Sequence, residues 1–155
     1  MFGFLKGKKV YVYAPAEGPL LDITAVPDNV FSQKMLGDGF AVEPQGDTIY
    51  APAEGKVIQV ADTHHAVVLD CSGVQVMIHV GLDTVALNGH GFNPCISEGD
   101  VVKKGTPLLQ FDRAYIQSQG KPMTTVVVIL NADEAVTALE KKWNYGEPVL
   151  VLHLH

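Results

Sequence analysis

The residues best suited by type and spacing to do chemistry together are two histidines, His65 and His79, on what reads as the two arms of a β-hairpin. In Val74-Gln75-Val76-Met77-Ile78-His79-Val80, the four β-branched residues alternate with Gln75, Met77 and His79. One face of this strand is therefore apolar and the other carries His79. If Cys71-Ser72-Gly73 is a three-residue loop with Gly73 at positive φ, Asp70 faces Val74 and His65 faces His79; a two-residue loop shifts that register by one. Directly opposed strand residues have Cβ atoms roughly 4.5–5.5 Å apart, which brings both imidazoles within reach of one small anion or metal ion. His64 points to the opposite face from His65 and reads as a surface residue, and His90, between Gly89 and Gly91, reads as solvated. His153 and His155 close the chain.

Short strands must position this hairpin. Runs rich in β-formers at residues 10–13, 40–43, 48–50, 66–70, 74–80, 107–112, 124–130 and 149–152 are bounded by Gly, Pro, Asp and Asn, at the spacing of an antiparallel sandwich or barrel. Helix is scarce. Residues 28–33 read as one capped turn and residues 113–119 as another with Asp112 as N-cap, while residues 132–143 form the longest helical candidate.

A chain of 155 residues predicts a single domain over 1–155 with a sizeable core. The composition, 47% hydrophobic and 18% charged, is that of a soluble globular protein, and no apolar run approaches the roughly 18 residues of a membrane span. In Met1-Phe2-Gly3-Phe4-Leu5-Lys6-Gly7-Lys8-Lys9 the basic residues follow the apolar ones, the wrong order for a signal peptide, so a cytoplasmic location is expected. A net charge of −6 without a basic face argues against nucleic acid and anionic membranes and suits a basic protein partner. Cys71 and Cys95 form neither a C-x-x-C pair nor a disulfide framework and read as reduced bystanders.

The chain repeats itself. Tyr13-Ala14-Pro15-Ala16-Glu17-Gly18 recurs as Tyr50-Ala51-Pro52-Ala53-Glu54-Gly55, each copy between β-rich runs, which points to duplication of a strand-turn-strand unit. The segments 51–57 and 98–109 resemble the turn-strand units of biotinyl and lipoyl carrier domains. Such carriers need a modified lysine at an exposed hairpin tip between the units, and here no lysine lies between Lys56 and Lys103. That resemblance is one of barrel construction, not of chemistry.

A fuller resemblance is carried by Pro27-Asp28-Asn29-Val30-Phe31, Lys34-Met35-Leu36-Gly37-Asp38-Gly39-Phe40-Ala41-Val42, Ala51-Pro52, His65-Ala66-Val67, Ile78-His79-Val80-Gly81-Leu82-Asp83-Thr84-Val85 and Gly91-Phe92. In this order, over residues 13–131, the chain resembles the glucose-type enzyme IIA of the bacterial phosphoenolpyruvate:sugar phosphotransferase system. The resemblance implies an antiparallel β-sandwich, a duplicated barrel-sandwich hybrid, which agrees with the internal repeat. His65 and His79 stand 14 positions apart, one fewer than the family pattern.

What the resemblance implies is phosphoryl relay. His79 would accept a phosphoryl group from the phosphocarrier protein HPr and pass it to a cysteine of a permease IIB domain, with the membrane met only through that permease. A neutral imidazole nitrogen is a competent nucleophile near neutral pH, and its phosphoramidate is labile enough for onward transfer. Catalysis is then mostly positioning and electrostatic stabilisation of charge on the equatorial oxygens. His65 would donate a hydrogen bond to the phosphoryl group, the Thr63 hydroxyl would fix the tautomer of His65, and the carbonyl of Gly81 would orient the other nitrogen of His79. Asp83, Asp28 and Asp38 would form an acidic rim that steers a basic partner onto an apolar face containing Val30, Phe31, Met35 and Phe40. No cofactor is implied; His65 and His79 would hold zinc only where a partner supplies a further ligand, which is also the form that a purely regulatory binding module would take.

A zinc hydrolase is the alternative from another class. Lysostaphin-type endopeptidases share the duplicated hybrid fold and bind zinc through H-x-x-x-D and a late H-x-H, spacings present here in His79 to Asp83 and His153-Leu154-His155. The order differs, because in those enzymes the H-x-x-x-D fills the slot occupied here by Met35-Leu36-Gly37-Asp38-Gly39-Phe40, which contains no histidine.

Overall fold

The computed structural model of the protein describes residues 7–144 and 146–155, so residues 1–6 of the N-terminal run read for targeting signals lie outside it. The chain folds as strands β1 (Lys9–Val12), β2 (Leu20–Asp22), β3 (Gly39–Val42), β4 (Thr48–Tyr50), β5 (Gly55–Val60), β6 (Ala66–Cys71), β7 (Val74–Val80), β8 (Phe92–Pro94), β9 (Val101–Val102), β10 (Pro107–Phe111), β11 (Thr125–Ile129), β12 (Val136–Lys141) and β13 (Leu150–Leu154). Short helices α1 (Asn29–Ser32), α2 (Arg113–Ser118) and α3 (Ala132–Ala135) interrupt them. The strand pairings are antiparallel.

A seven-stranded sheet in the order β2-β3-β11-β7-β6-β5-β9 packs against two three-stranded sheets, β1-β13-β12 and β4-β10-β8, making the expected β-sandwich. The period-2 alternation of β7 decides what enters the core. Val74, Val76, Ile78 and Val80 are buried together with Val12, Ile49, Leu108, Leu150 and Leu152 of the smaller sheets. The opposite face of the central strands carries His79 and Met77 on β7, Val126 and Val128 on β11 and Ala41 on β3. No sheet of the described residues covers that face. Ile23, Val26 and Phe31 of the segment after β2, with Leu82, pack over it as a second apolar cluster. Burial of β11 on both faces follows from this, and so does its unbroken Thr125-Val126-Val127-Val128-Ile129 run.

The repeated hexapeptides meet in space. The Tyr13 N–H donates to the Pro52 carbonyl at 2.9 Å and the Tyr50 N–H to the Pro15 carbonyl at 2.8 Å. Each copy thus bonds the other at the corresponding positions, as duplicated units related by a local two-fold exchange would.

Two expectations need correction. The 71–73 loop has two residues, not three: Ser72 at φ 55° and Gly73 at φ 90° form the turn, and Cys71 pairs with Val74. Positive φ at both central residues matches the turn twist to the right-handed twist of the strands, which the longer loop would not need. Residues 132–143 are not a helix either: α3 makes one turn and the chain then extends as β12, pairing with β13 from Val136↔Leu154 to Lys141↔Leu150. Val136 and Thr137 are β-branched, and Val136 and Leu139 pack against the core. A sheet ladder plus this burial outweighs helix propensities of a few tenths of a kcal/mol per residue. The short strands β8 and β9 were not foreseen; three and two residues long, they are too brief to show a period.

Candidate active site

The shortened loop moves the histidines out of direct opposition. Ala66 is the residue across from His79, and His65 lies across from Val80, whose N–H donates to the His65 carbonyl at 2.8 Å. The two rings meet nonetheless, with centroids 4.7 Å apart and planes at 86°. Two local features bring this about. His65 precedes β6 and is freed from strand alternation by His64, which adopts φ 63° in a turn closed by the His64 N–H on the Ala61 carbonyl at 2.8 Å. Ala66, opposite His79, is small enough to leave room for the neighbouring imidazole.

Thr63 Oγ1 and His65 Nδ1 lie 2.8 Å apart, although Thr63 belongs to this turn rather than to the strand. His65 is 6% exposed, with the Phe92 ring 6.3 Å away, and the Phe31 ring stands 5.0 Å from His79. Two phenylalanines therefore flank the pair. Val80 and Gly81 fix the end of β7: the Thr84 hydroxyl donates to the Val80 carbonyl at 2.6 Å, and the Gly81 N–H to the Thr124 carbonyl at 2.9 Å. Gly81 has φ 83°, and a Cβ there would lie 2.9 Å from the Pro122 carbonyl, so only glycine fits.

Both imidazoles are held neutral at pH 7. Burial pushes His79 down to about 4 and the neighbouring His65 adds to the depression, against the backbone of Gly81 and the charge of Asp28. Burial likewise lowers His65, with the Thr63 backbone opposing. Nδ1 of His79 is buried with no hydrogen-bond partner of full geometry among the described residues, yet the Gly81 backbone favours a proton on the ring, the sense expected of its carbonyl. Gly81 commits its N–H to Thr124, so what it offers the imidazole is its carbonyl.

The acidic residues divide into three kinds. Asp28 caps α1 by accepting the Val30 N–H at 2.9 Å, and its charge offsets a small part of the depression of His79. Asp83, with 67% of its side chain exposed, pairs with Lys121 at 2.5 Å. Asp38 is not a free rim group. Its carboxylate bonds Lys141 Nζ at 2.7 Å and the Gly39 N–H at 2.8 Å, while Asp22 takes the same lysine at 2.6 Å. Burial disfavours the Asp38 charge, but the Lys141 bond overrides it and holds the carboxyl low. Lys141 comes from β12, 103 positions away, a pairing that the sequence around Asp38 does not announce.

The apolar face is corrected in the same way. Phe40 is fully buried in the main core, since β3 lies inside the large sheet, and no partner can touch it. Phe31 is 4% exposed and presents little beyond its edge on His79. Val30 at 41% and Met35 at 66% are exposed as expected. Leu36 at 43% and Val85 at 52% join them; both stood inside the quoted motifs, and their exposure was the feature that residue type could not show.

The model of the phosphoenolpyruvate-dependent sugar phosphotransferase system EIIA 1 family matches residues 10–135. The chain belongs to this family. It is 41% identical over 137 residues to the PTS system glucose-specific EIIA component of Staphylococcus epidermidis, covering 86% of this chain and 82% of that one. With the protein of the same name from Haemophilus influenzae it shares 41% over 156 aligned residues, 97% of this chain and 94% of the other. Glucose permease IIA from Mycoplasma capricolum superposes with a TM-score of 0.80 at 30% identity, covering 97% and 99% of the two chains. As an EIIA component the protein is a phosphotransferase component and a phosphoryl carrier in sugar uptake, working with other parts of that system.

The hydrolase alternative finds no support. His153 stands on β13 in another sheet and pairs with Glu140 at 2.6 Å, and no three metal-ligating side chains converge among the described residues. Both cysteines are free; burial, with the Asp70 charge, pushes the Cys71 thiol up to about 12 and leaves it inert. Among the described residues no helix is long and apolar enough to cross a membrane.

Proposed function

We propose that His79 carries the phosphoryl group on Nε2, taking it from the phosphohistidine of HPr and passing it to a cysteine of a permease IIB domain. The observation that carries this reading is the enclosed Nδ1 of a neutral His79 beside His65, whose own Nδ1 is tied to Thr63. With the proton of His79 on the enclosed Nδ1, where the Gly81 backbone favours it, the lone pair lies on Nε2 and attacks phosphorus in line as the bond to the donor imidazole breaks. When the Thr63 hydroxyl donates to Nδ1 of His65, the proton of that ring sits on Nε2 and is available to a phosphoryl oxygen. His65 thereby stabilises transferring charge without competing as acceptor.

Asp28 and Asp83 steer a basic partner, and Val30, Met35, Leu36 and Val85 provide the apolar contact. No cofactor takes part, and zinc would bind the histidine pair only with a further ligand from a partner. Nucleic acid has no place on a surface of net charge −6, and the reaction belongs in the cytoplasm, with the membrane reached through the permease.

Incubation with labelled phosphoenolpyruvate, enzyme I and HPr should add one acid-labile phosphoryl group, at His79. Label taken up undiminished by the His79→Gln protein would refute the assignment.

A further inference from the structure

Four aspartates stand at the N-caps of helical turns, and three of them spend their carboxylates there. Asp22 accepts the Thr24 N–H at 3.1 Å, Asp28 the Val30 N–H at 2.9 Å and Asp112 the Tyr115 N–H at 3.0 Å. Asp83, preceding the 3-10 turn Thr84–Leu87, does not. Its backbone is left-handed at φ 58° and its side chain makes no cap bond, although an N-cap aspartate ordinarily bonds the first turn. The carboxylate instead meets Lys121 Nζ at 2.5 Å.

That meeting is built into the backbone. The Gly81 N–H donates to the Thr124 carbonyl at 2.9 Å and the Leu82 N–H to the Pro122 carbonyl at 3.1 Å, which lays residues 121–124 beside the end of the His79 strand. Leu82 is buried in the same cluster as Phe31, whose ring packs on His79, so Asp83 stands at the margin of the histidine site. Lys121 retains 24% of its side-chain exposure and Asp83 67%, so an incoming cation can reach the carboxylate and take the lysine's place.

We infer that Lys121 is an internal stand-in for a cation of the docking partner. In the free protein it occupies the Asp83 carboxylate, and an arginine or lysine of a basic partner must displace it on docking. The inference rests on the proposed docking of a basic protein around His79. Lys121 thus acts as a specificity-determining residue: it weakens every basic partner, and selects those whose cation makes a two-pronged bond to the carboxylate that an ammonium cannot match. An exposed ion pair is worth little on its own, so the displacement is a modest barrier.

The test measures the dissociation constant of unphosphorylated HPr for the full chain at low salt, alongside label transfer to His79 in the same preparations. Lys121→Gln should tighten binding roughly two- to fivefold, the range of an exposed pair, and steepen its weakening by salt. Lys121→Arg should bind as the parent does or more weakly. In an Asp83→Asn background, Lys121→Gln should add nothing. Binding of Lys121→Gln equal to or weaker than the parent overturns the inference, and if His79 is still labelled, the phosphoryl reading stands without it. Absence of HPr binding by both proteins overturns the inference and the docking reading together.

Discussion

Two histidine pairings stand on different sheets of this molecule and show what makes one of them chemical. At His65 and His79, two rings 4.7 Å apart, the first buried and the second half-buried, lie beside phenylalanines with no carboxylate of the described residues hydrogen-bonded to either. At His153, Nε2 meets the exposed Glu140 carboxylate at 2.6 Å, and that bond holds the Glu140 carboxyl below its usual range. Burial beside a second imidazole favours the neutral ring, whose lone pair is free to attack phosphorus; an exposed ring bonded to a carboxylate has no such enclosure. Location on a strand does not separate the two sites. The nearest charge and the depth do.

Removing the support while keeping the carrier tests the unequal roles within the first pair. His65→Gln leaves Nε2 of His79 in place, so it should still accept label from HPr, but onward transfer to a IIB domain should fall roughly 10²- to 10³-fold, the loss typical of one preorganised donor to a charged transition state. A chase of labelled protein with IIB measures it directly. Full-rate transfer by the variant would remove His65 from the mechanism and leave the two pairings differing only in burial.

The second contrast is in pH. With its imidazole pushed down to about 4, His79 should accept label at a flat rate from about pH 8 to about pH 5 and lose it only as the pH approaches the folded value. Stability moves in the same window. The unfolded ring takes a proton near its ordinary pKa of about 6.5, before the folded ring does, so lowering the pH from there toward 4 favours the unfolded chain. Unfolding free energies from denaturant titrations at about pH 7 and about pH 5 should diverge by up to about 2 kcal/mol in the parent and less in His79→Gln. An equal loss in both proteins would show that the ring is not neutralised by burial.

Much of the large sheet was legible because alternation in β7 and the run in β11 report which faces are covered, and the helical turns at Asp28 and Asp112 were legible because capping is local. The meeting of the histidines was only half legible. The motif placed both rings on one hairpin, but their contact depends on a positive φ at His64 and on the small Ala66, neither of which has a sequence signature. Non-local contacts account for the remaining misses. Asp38 reads as a rim residue in the sequence because Lys141 arrives from β12, and β12 itself is hidden by residues acceptable to a helix until β13 offers them a ladder. Phe40 was misplaced because a strand inside a sheet covered on both faces buries aromatics that would otherwise look available for docking.

The smallest effect is expected at the second pairing. Glu140→Gln and His153→Gln remove a side-chain pair that is 52% and 32% exposed, on a different sheet from the one that carries His79. Exposed pairs of this kind contribute little because water screens them and two side chains must be held still. Label acceptance and onward transfer should stay within about twofold of the parent, and the midpoint of unfolding should not move measurably. The comparison sharpens if Thr63→Val is measured beside them, since it removes a single hydroxyl, one that holds a buried ring nitrogen at 2.8 Å. Should Glu140→Gln slow transfer as much as Thr63→Val does, depth and nearest charge would not be what separates the two sites, and a coupling between the sheets would have to be sought instead.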